Sequence, residues 1–164
     1  MKTIAIYLFL ITFVAVSNSC KDIDDLKDIE AVKKVIIDDG EARQNGNIEL
    51  LSELWVHESY IAHFGVSKHM CFVIKGWDEM EETLSTMWTS GFNKETNVVR
   101  DNISVHINGN TAFASFDLHL YDPSGNVDAK VNASLEKVDG KWKMVFLNVM
   151  DKDSFTETDD YWPI

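Results

Sequence analysis

The chain has 164 residues, 45% hydrophobic and 26% charged, a balance that excludes a disordered protein. Its formal net charge is -12, a poor match for nucleic acid or for an anionic membrane face, both of which are bound through Lys and Arg. The sequence also lacks a Gly-rich phosphate loop, an internal repeat and metal-type Cys spacing.

The first element is a leader. Lys2 supplies a positive start, and Thr3 to Val16 is uncharged and mostly apolar. Small residues then lead to Cys20, which makes residues 1–19 an export signal. The apolar run is too short for a membrane-spanning helix. Ser17-Asn18-Ser19-Cys20 resembles a bacterial lipobox, which implies acylation of Cys20. It departs from that pattern at Ser17, where an aliphatic residue is expected, and at Asn18, where a small one is. Ala15-Val16-Ser17 also fits an ordinary signal peptidase, which would leave a soluble protein with a free thiol. Residues 20–26 form an acidic tether whose Lys21-Asp22-Ile23-Asp24-Asp25 is similar to the surface-sorting signal of some lipoproteins. The expected location is the cell envelope, lipid-anchored at the outer membrane or cell surface, with a periplasmic or secreted protein as the alternative. With Cys20 acylated, Cys71 has no disulfide partner.

Leu26, Ile29, Val32 and Ile36 recur at helical spacing and predict an amphipathic first helix, ended by Gln44-Asn45-Gly46-Asn47. Asn47 can cap a short second helix from Ile48 to about Trp55. Ser59 to Phe64 and Phe72 to Ile74 read as strands. Gly76 opens a third helix carrying Trp77, Met80, Leu84 and Met87 or Trp88 on one side. The period then changes to 2, and four long strands follow: Val98 to Ile107, Thr111 to Tyr121, Val127 to Lys137 and Trp142 to Met150. Asn108-Gly109-Asn110, Asp122-Pro123-Ser124-Gly125 and Asp139-Gly140 are tight turns, so these strands pair antiparallel. The expected architecture is α+β, with three N-terminal helices packed on one face of a curved antiparallel sheet.

Residues 46–55, then Tyr60-Ile61-Ala62-His63-Phe64-Gly65 and Lys75-Gly76-Trp77-Asp78-Glu79-Met80, resemble the NTF2-like superfamily, nearest to its SnoaL-like and ketosteroid-isomerase-like domains. Asp139-Gly140-Lys141-Trp142-Lys143 resembles their penultimate turn and final strand. The likeness spans a domain at residues 27–155 and leaves 156–164 as a C-terminal tail. It implies a cone-shaped domain with a pocket between helices and sheet, and a homodimer through the sheet's outer face. Ketosteroid-isomerase chemistry does not carry over with it. Alignment on Phe64-Gly65 puts Ala62 where the acidic base stands, and counting back from Gly46 puts Asp39 where the oxyanion-binding Tyr stands. The position of the neutral carboxylic acid falls on Asn132 or Ala133, and the strand's alternation favours Ala133.

Other constellations are sparse. His63 with nearby Tyr60 could act as general base and orienting donor, as in dehydratase-like members. Strict alternation, however, places Tyr60, Ala62 and Phe64 on one face and His63 on the other. Asp117 and His119 share a polar-aromatic face with Phe113, Ser115 and Tyr121, which suits a solvated or dimer-facing surface. His57, His63 and His69 recur every six residues, a spacing that fits no metal site. No cofactor is implied. The pocket candidates are Trp55, Tyr60, His63, Trp77, Trp88 and Phe116, lining a cavity for a small apolar or aromatic molecule. A noncatalytic binding domain and a SnoaL-like isomerase or dehydratase using a His base are the two expected functions. In the final strand, alternation sets Trp142, Met144 and Phe146 against Val145, Leu147 and Val149. Both sides are apolar, so the face away from the helices needs a second copy or the tail to cover it.

Overall fold

The computed structural model describes residues 25–67, 71–91, 96–122 and 125–152. The leader, Cys20, His69 and the tail at 156–164 lie outside them. Helix α1 spans residues 25–45, so Asp25 and Leu26, expected in the tether, are already helical. Its buried stripe is Val32, Val35, Ile36, Asp39 and Ala42, while Leu26, read from the sequence as part of it, is 63% exposed. Gly46 ends α1 in the left-handed region at φ 63. The Asn47 side chain then accepts from Leu50 N (3.0 Å) and caps α2, Ile48–Leu54. Helix α3 is Trp77–Thr89 and buries Trp77, Met80 and Leu84. Among the described residues no helix is long and apolar enough to cross a membrane.

The strands are β1 (Ala62–Val66), β2 (Cys71–Lys75), β3 (Asn97–Asn108), β4 (Thr111–Asp122), β5 (Gly125–Val138) and β6 (Lys141–Asp151). They form one sheet of 6 strands in the order β2-β1-β6-β5-β4-β3. The expected antiparallel meander is its larger part, and two features correct the sequence reading. The β1–β2 hairpin joins the same sheet between α2 and α3, and β1 pairs with β6 in parallel. Parallel neighbours need a long crossover rather than a turn, so no local motif announces them. Strand β1 also starts later than Ser59, because Ile61 N donates to Glu58 O (3.4 Å) and closes a turn over Ser59 and Tyr60.

Register settles which side chains face the helices. In β1 it is His63 and Gly65, across from the inward Leu147 and Val149 of β6. Ala62 and Phe64 point the other way, paired with Phe146 and Asn148. In β6 the expected alternation breaks at Val145. Leu135 pairs with Met144 while Ser134 pairs with Phe146, which leaves Val145 as an extra residue, a β-bulge. Trp142, Met144 and Leu147 are therefore all buried on the helix side, and Phe146 turns outward to meet Phe64 at 5.5 Å. A second irregularity lies in β3 between Asp101 and Ser104, with Asn102 at φ 51. Bulges of this kind bend a strand and increase its local twist.

Candidate functional site

The helix-covered side of the sheet holds a charged cluster inside the core. Asp39, on the apolar stripe of α1, has no exposed surface. Its Oδ1 accepts from Trp55 Nε1 at 2.7 Å. Its Oδ2 accepts from Arg43 Nε at 2.9 Å, one turn further along α1, and from Arg100 Nη2 at 2.8 Å, on β3. Arg100 also donates from Nη1 to Ile36 O at 2.6 Å. Both guanidinium groups lie over aromatic rings, Arg43 over Trp55 and Arg100 over Phe116.

Local sequence makes room for this cluster. A side chain at Gly40 would meet Arg100 Nε at 3.1 Å, so the glycine within α1 lets Arg100 cross the helix closely. On β1, a side chain at Gly65 would overlap the Phe72 ring. Phe72 needs that space to meet His63 edge-on, with ring centroids 5.2 Å apart. Trp88 of α3 packs on Gly46 and donates to Arg43 O at 3.1 Å. The side chain of Arg43 keeps 11% of its surface exposed, against 0% for Asp39 and 5% for Arg100.

Electrostatics divide these groups into charged and neutral. Burial works against the charged form of Asp39. The Arg43 and Arg100 charges and the hydrogen bonds from Arg43 and Trp55 outweigh it and hold the carboxyl well below the usual range. Arg100 is pushed down by burial and restored in part by Asp39. His63 is 8% exposed. Burial first, then the Arg43 charge, push its imidazole down to about 3, against the opposing pull of Asp39. It is therefore neutral at physiological pH. Among the described residues, three donor-capable atoms of the cluster are buried without a hydrogen-bond partner: Arg43 Nη2, Arg100 Nε and His63 Nδ1.

The six pocket candidates separate in the structure. Trp55, His63 and Phe116 are buried at or beside the cluster, and Trp88 packs at its edge. Trp77 is buried but stacks on His57 at 4.4 Å. Tyr60 is 58% exposed and donates to Glu136 Oε2 at 2.8 Å, so it does not accompany His63. Ala62, which the resemblance aligned with the catalytic-base position, lies on the outward side of β1, and His63 is the inward residue there. Asp39 and Ala133 do face inward. Sequence reasoning missed Arg43 and Arg100 and read Asp39 only as a lost Tyr. Among the described residues no three His, Cys, Asp or Glu side chains are grouped to hold a metal ion.

The opposite face of the sheet is polar and aromatic. Asp117 is held by Lys130 and by Asn102 Nδ2 (2.9 Å). His119 lies between Asp128 (2.6 Å) and Asp101 (3.4 Å). Phe113 and Tyr121 are 50% and 46% exposed beside them.

No protein-family model matches the sequence, and no curated protein does. Solved structures match along most of the chain. An NTF2-like protein with a cystatin-like fold from Novosphingobium aromaticivorans aligns with a TM-score of 0.72 at 16% identity, over 90% of this chain and 97% of that one. An NTF2-like protein of unknown function from Pseudomonas putida aligns with a TM-score of 0.67 at 14% identity, over 84% and 98%. A candidate dehydratase of the NTF2-like family from Streptomyces avermitilis aligns with a TM-score of 0.61 at 18% identity, over 76% and 96%. The likeness is one of architecture, and this chain has the NTF2-like, cystatin-like fold.

Proposed function

We propose that this chain is an exported NTF2-like domain, lipid-anchored through Cys20, that binds a small apolar or aromatic molecule inside its cone, with no catalysis assigned to it. The observation that carries the reading is the buried cluster of Asp39, Arg43, Arg100 and Trp55, with His63 buried nearby and its Nδ1 without a hydrogen-bond partner among the described residues. Buried ion pairs add little stability over apolar residues of the same size, so their presence in this core supports a role other than folding. Trp55 and Phe116 lie under the two guanidinium groups and Phe72 meets His63, the mixture of apolar wall and few polar anchors typical of ligand sites. Mass spectrometry of an organic extract from the purified protein tests the reading. A stoichiometric small molecule is expected. An empty extract, together with no thermal stabilisation by a library of small apolar and aromatic compounds, would overturn it.

A SnoaL-like isomerase or dehydratase with His63 as general base is the second reading, favoured by the likeness to the candidate dehydratase. It is weakened by the low basicity of His63. A group whose conjugate acid titrates near 3 has little driving force to take a proton at neutral pH. Its expected helper, Tyr60, is engaged with Glu136 at the surface.

For the anchor, intact-mass analysis of the membrane fraction should give a chain beginning at an acylated Cys20. One acyl chain retains a protein only marginally, so firm retention requires the several chains of a lipoprotein. A soluble chain starting at Asn18 with a free thiol would overturn the anchor and leave the binding reading intact.

A further inference from the structure

We infer that the molecule held in the cone carries one carboxylate, received by Arg43 and His63. This rests on the binding reading above and specifies its ligand. The cluster contains two guanidinium groups and one carboxylate, and His63 beside it is neutral, so the buried pole has one positive charge in excess. Asp39 cannot offset more: Oδ1 is engaged by Trp55, and Oδ2 by both Arg43 and Arg100. An uncompensated charge in the interior is costly, and an anion brought by a ligand removes that cost.

The unused donors give the position. Arg100 is closed to a ligand: its Nη atoms are bound to Ile36 O and Asp39, and its Nε lies against Gly40. Arg43 uses Nε on Asp39 and leaves Nη2 buried without a partner. His63 Nδ1 is likewise unpartnered, and in the tautomer that protonates it the imidazole is a second donor. Arg43 also has the greatest side-chain exposure in the cluster, and its backbone carbonyl accepts from Trp88. One excess charge and a planar guanidinium suit a monoanion with two coplanar oxygens, and a phosphate dianion would reverse the sign of the pole. The aromatic neighbours Trp55 and Phe116 leave an apolar environment for the rest of the molecule.

Matched acid and amide pairs test this: decanoate with decanamide, and phenylacetate with phenylacetamide, measured by calorimetry at pH 7. Each acid is expected to bind at least about ten-fold more tightly than its amide, a factor worth about 1.4 kcal/mol. Arg43→Gln should reduce that ratio to near one with amide binding little changed, and Arg43→Lys should restore part of it. Equal affinity for acid and amide in the unsubstituted protein would overturn the carboxylate and leave a neutral-ligand cone standing. Extraction of a neutral molecule from the purified protein, with no acid binding, would do the same. An empty extract together with no binding by either member of any pair would overturn both readings. The ratio in the unsubstituted protein decides the matter even if Arg43→Gln does not fold.

Discussion

His63 ties stability to pH with a sign that can be worked out in advance. Its imidazole titrates near 3 in the fold, with burial as the main cause, and near 6.5 in the unfolded chain. Between those values the unfolded state binds a proton that the folded state refuses, so stability falls as pH falls. From pH 7 to pH 5 the loss from this one residue is about 2 kcal/mol. His119 acts in the opposite direction. The hydrogen bond to Asp128 raises its pKa, so its contribution is present at pH 5 and is lost as pH rises. Asp39 titrates below its ordinary range in the fold, so its contribution is lost only below about pH 4. Urea unfolding at pH 7 and pH 5 should therefore show His63→Gln losing less stability on acidification than the unsubstituted protein. Parallel losses would mean that His63 is solvated. The sequence contained the signal for this cluster in a form that is easy to pass over. Asp39 interrupts an apolar stripe and Arg43 follows at i+4, which is a buried pair waiting for a third partner. That partner, Arg100, comes from the far edge of the sheet, and nothing local in the sequence names it.

At the scale of elements, α1 is fastened to the sheet at three levels. Asp28 accepts from Lys137 Nζ (2.6 Å) and Trp142 Nε1 (2.9 Å), Asp39 holds Arg100, and Gln44 accepts from Val98 N (3.3 Å). Gly40 belongs to the middle fastening. On an exposed helix, Gly→Ala gains about 1 kcal/mol. Here the added methyl would press on Arg100, whose guanidinium is held by Asp39 and Ile36 O and cannot yield freely. Gly40→Ala should lower the melting temperature, and the same change made on top of Arg100→Met should raise it. A gain in both backgrounds would show that the contact is not tight. Trp142→Ala and Phe116→Ala should each cost roughly 3–5 kcal/mol in urea unfolding, since both rings are almost fully buried on central strands. A loss within about 0.5 kcal/mol would place them at the surface. The four long strands were legible to within a residue or two, because period-2 runs between Gly-containing turns have few other readings. The bulge at Val145 was not. A run apolar on both sides fits either parity, and only the partner strand shows where the count slips.

At the scale of the whole molecule, the sheet's outer face is what a second copy would meet. Among the described residues it carries no helix, and it presents Phe64 with Phe146, Val73 at 41% exposed, Phe113 and Tyr121. Exposed aromatic surface of this kind marks interfaces, and a two-fold axis would set the patch against its own copy. Leu147 faces the helices, while Phe146 and the aromatics of β1 and β4 supply the outward apolar surface. We propose a sheet-to-sheet homodimer. Phe113 is half exposed in the single chain, so Phe113→Lys should cost the folded domain little while placing two like charges near each other across the two-fold. Light scattering at micromolar concentration should then give a dimer for the unsubstituted protein and a monomer for Phe113→Lys, with circular dichroism unchanged. The competing cover is the C-terminal segment with Phe155 and Trp162, and deletion after Asp153 separates the two. If the tail covers the face, the full chain is a monomer and the truncated chain associates. A monomer in both forms would mean that this surface stands bare in water and that the aromatics on it serve neither assembly nor cover.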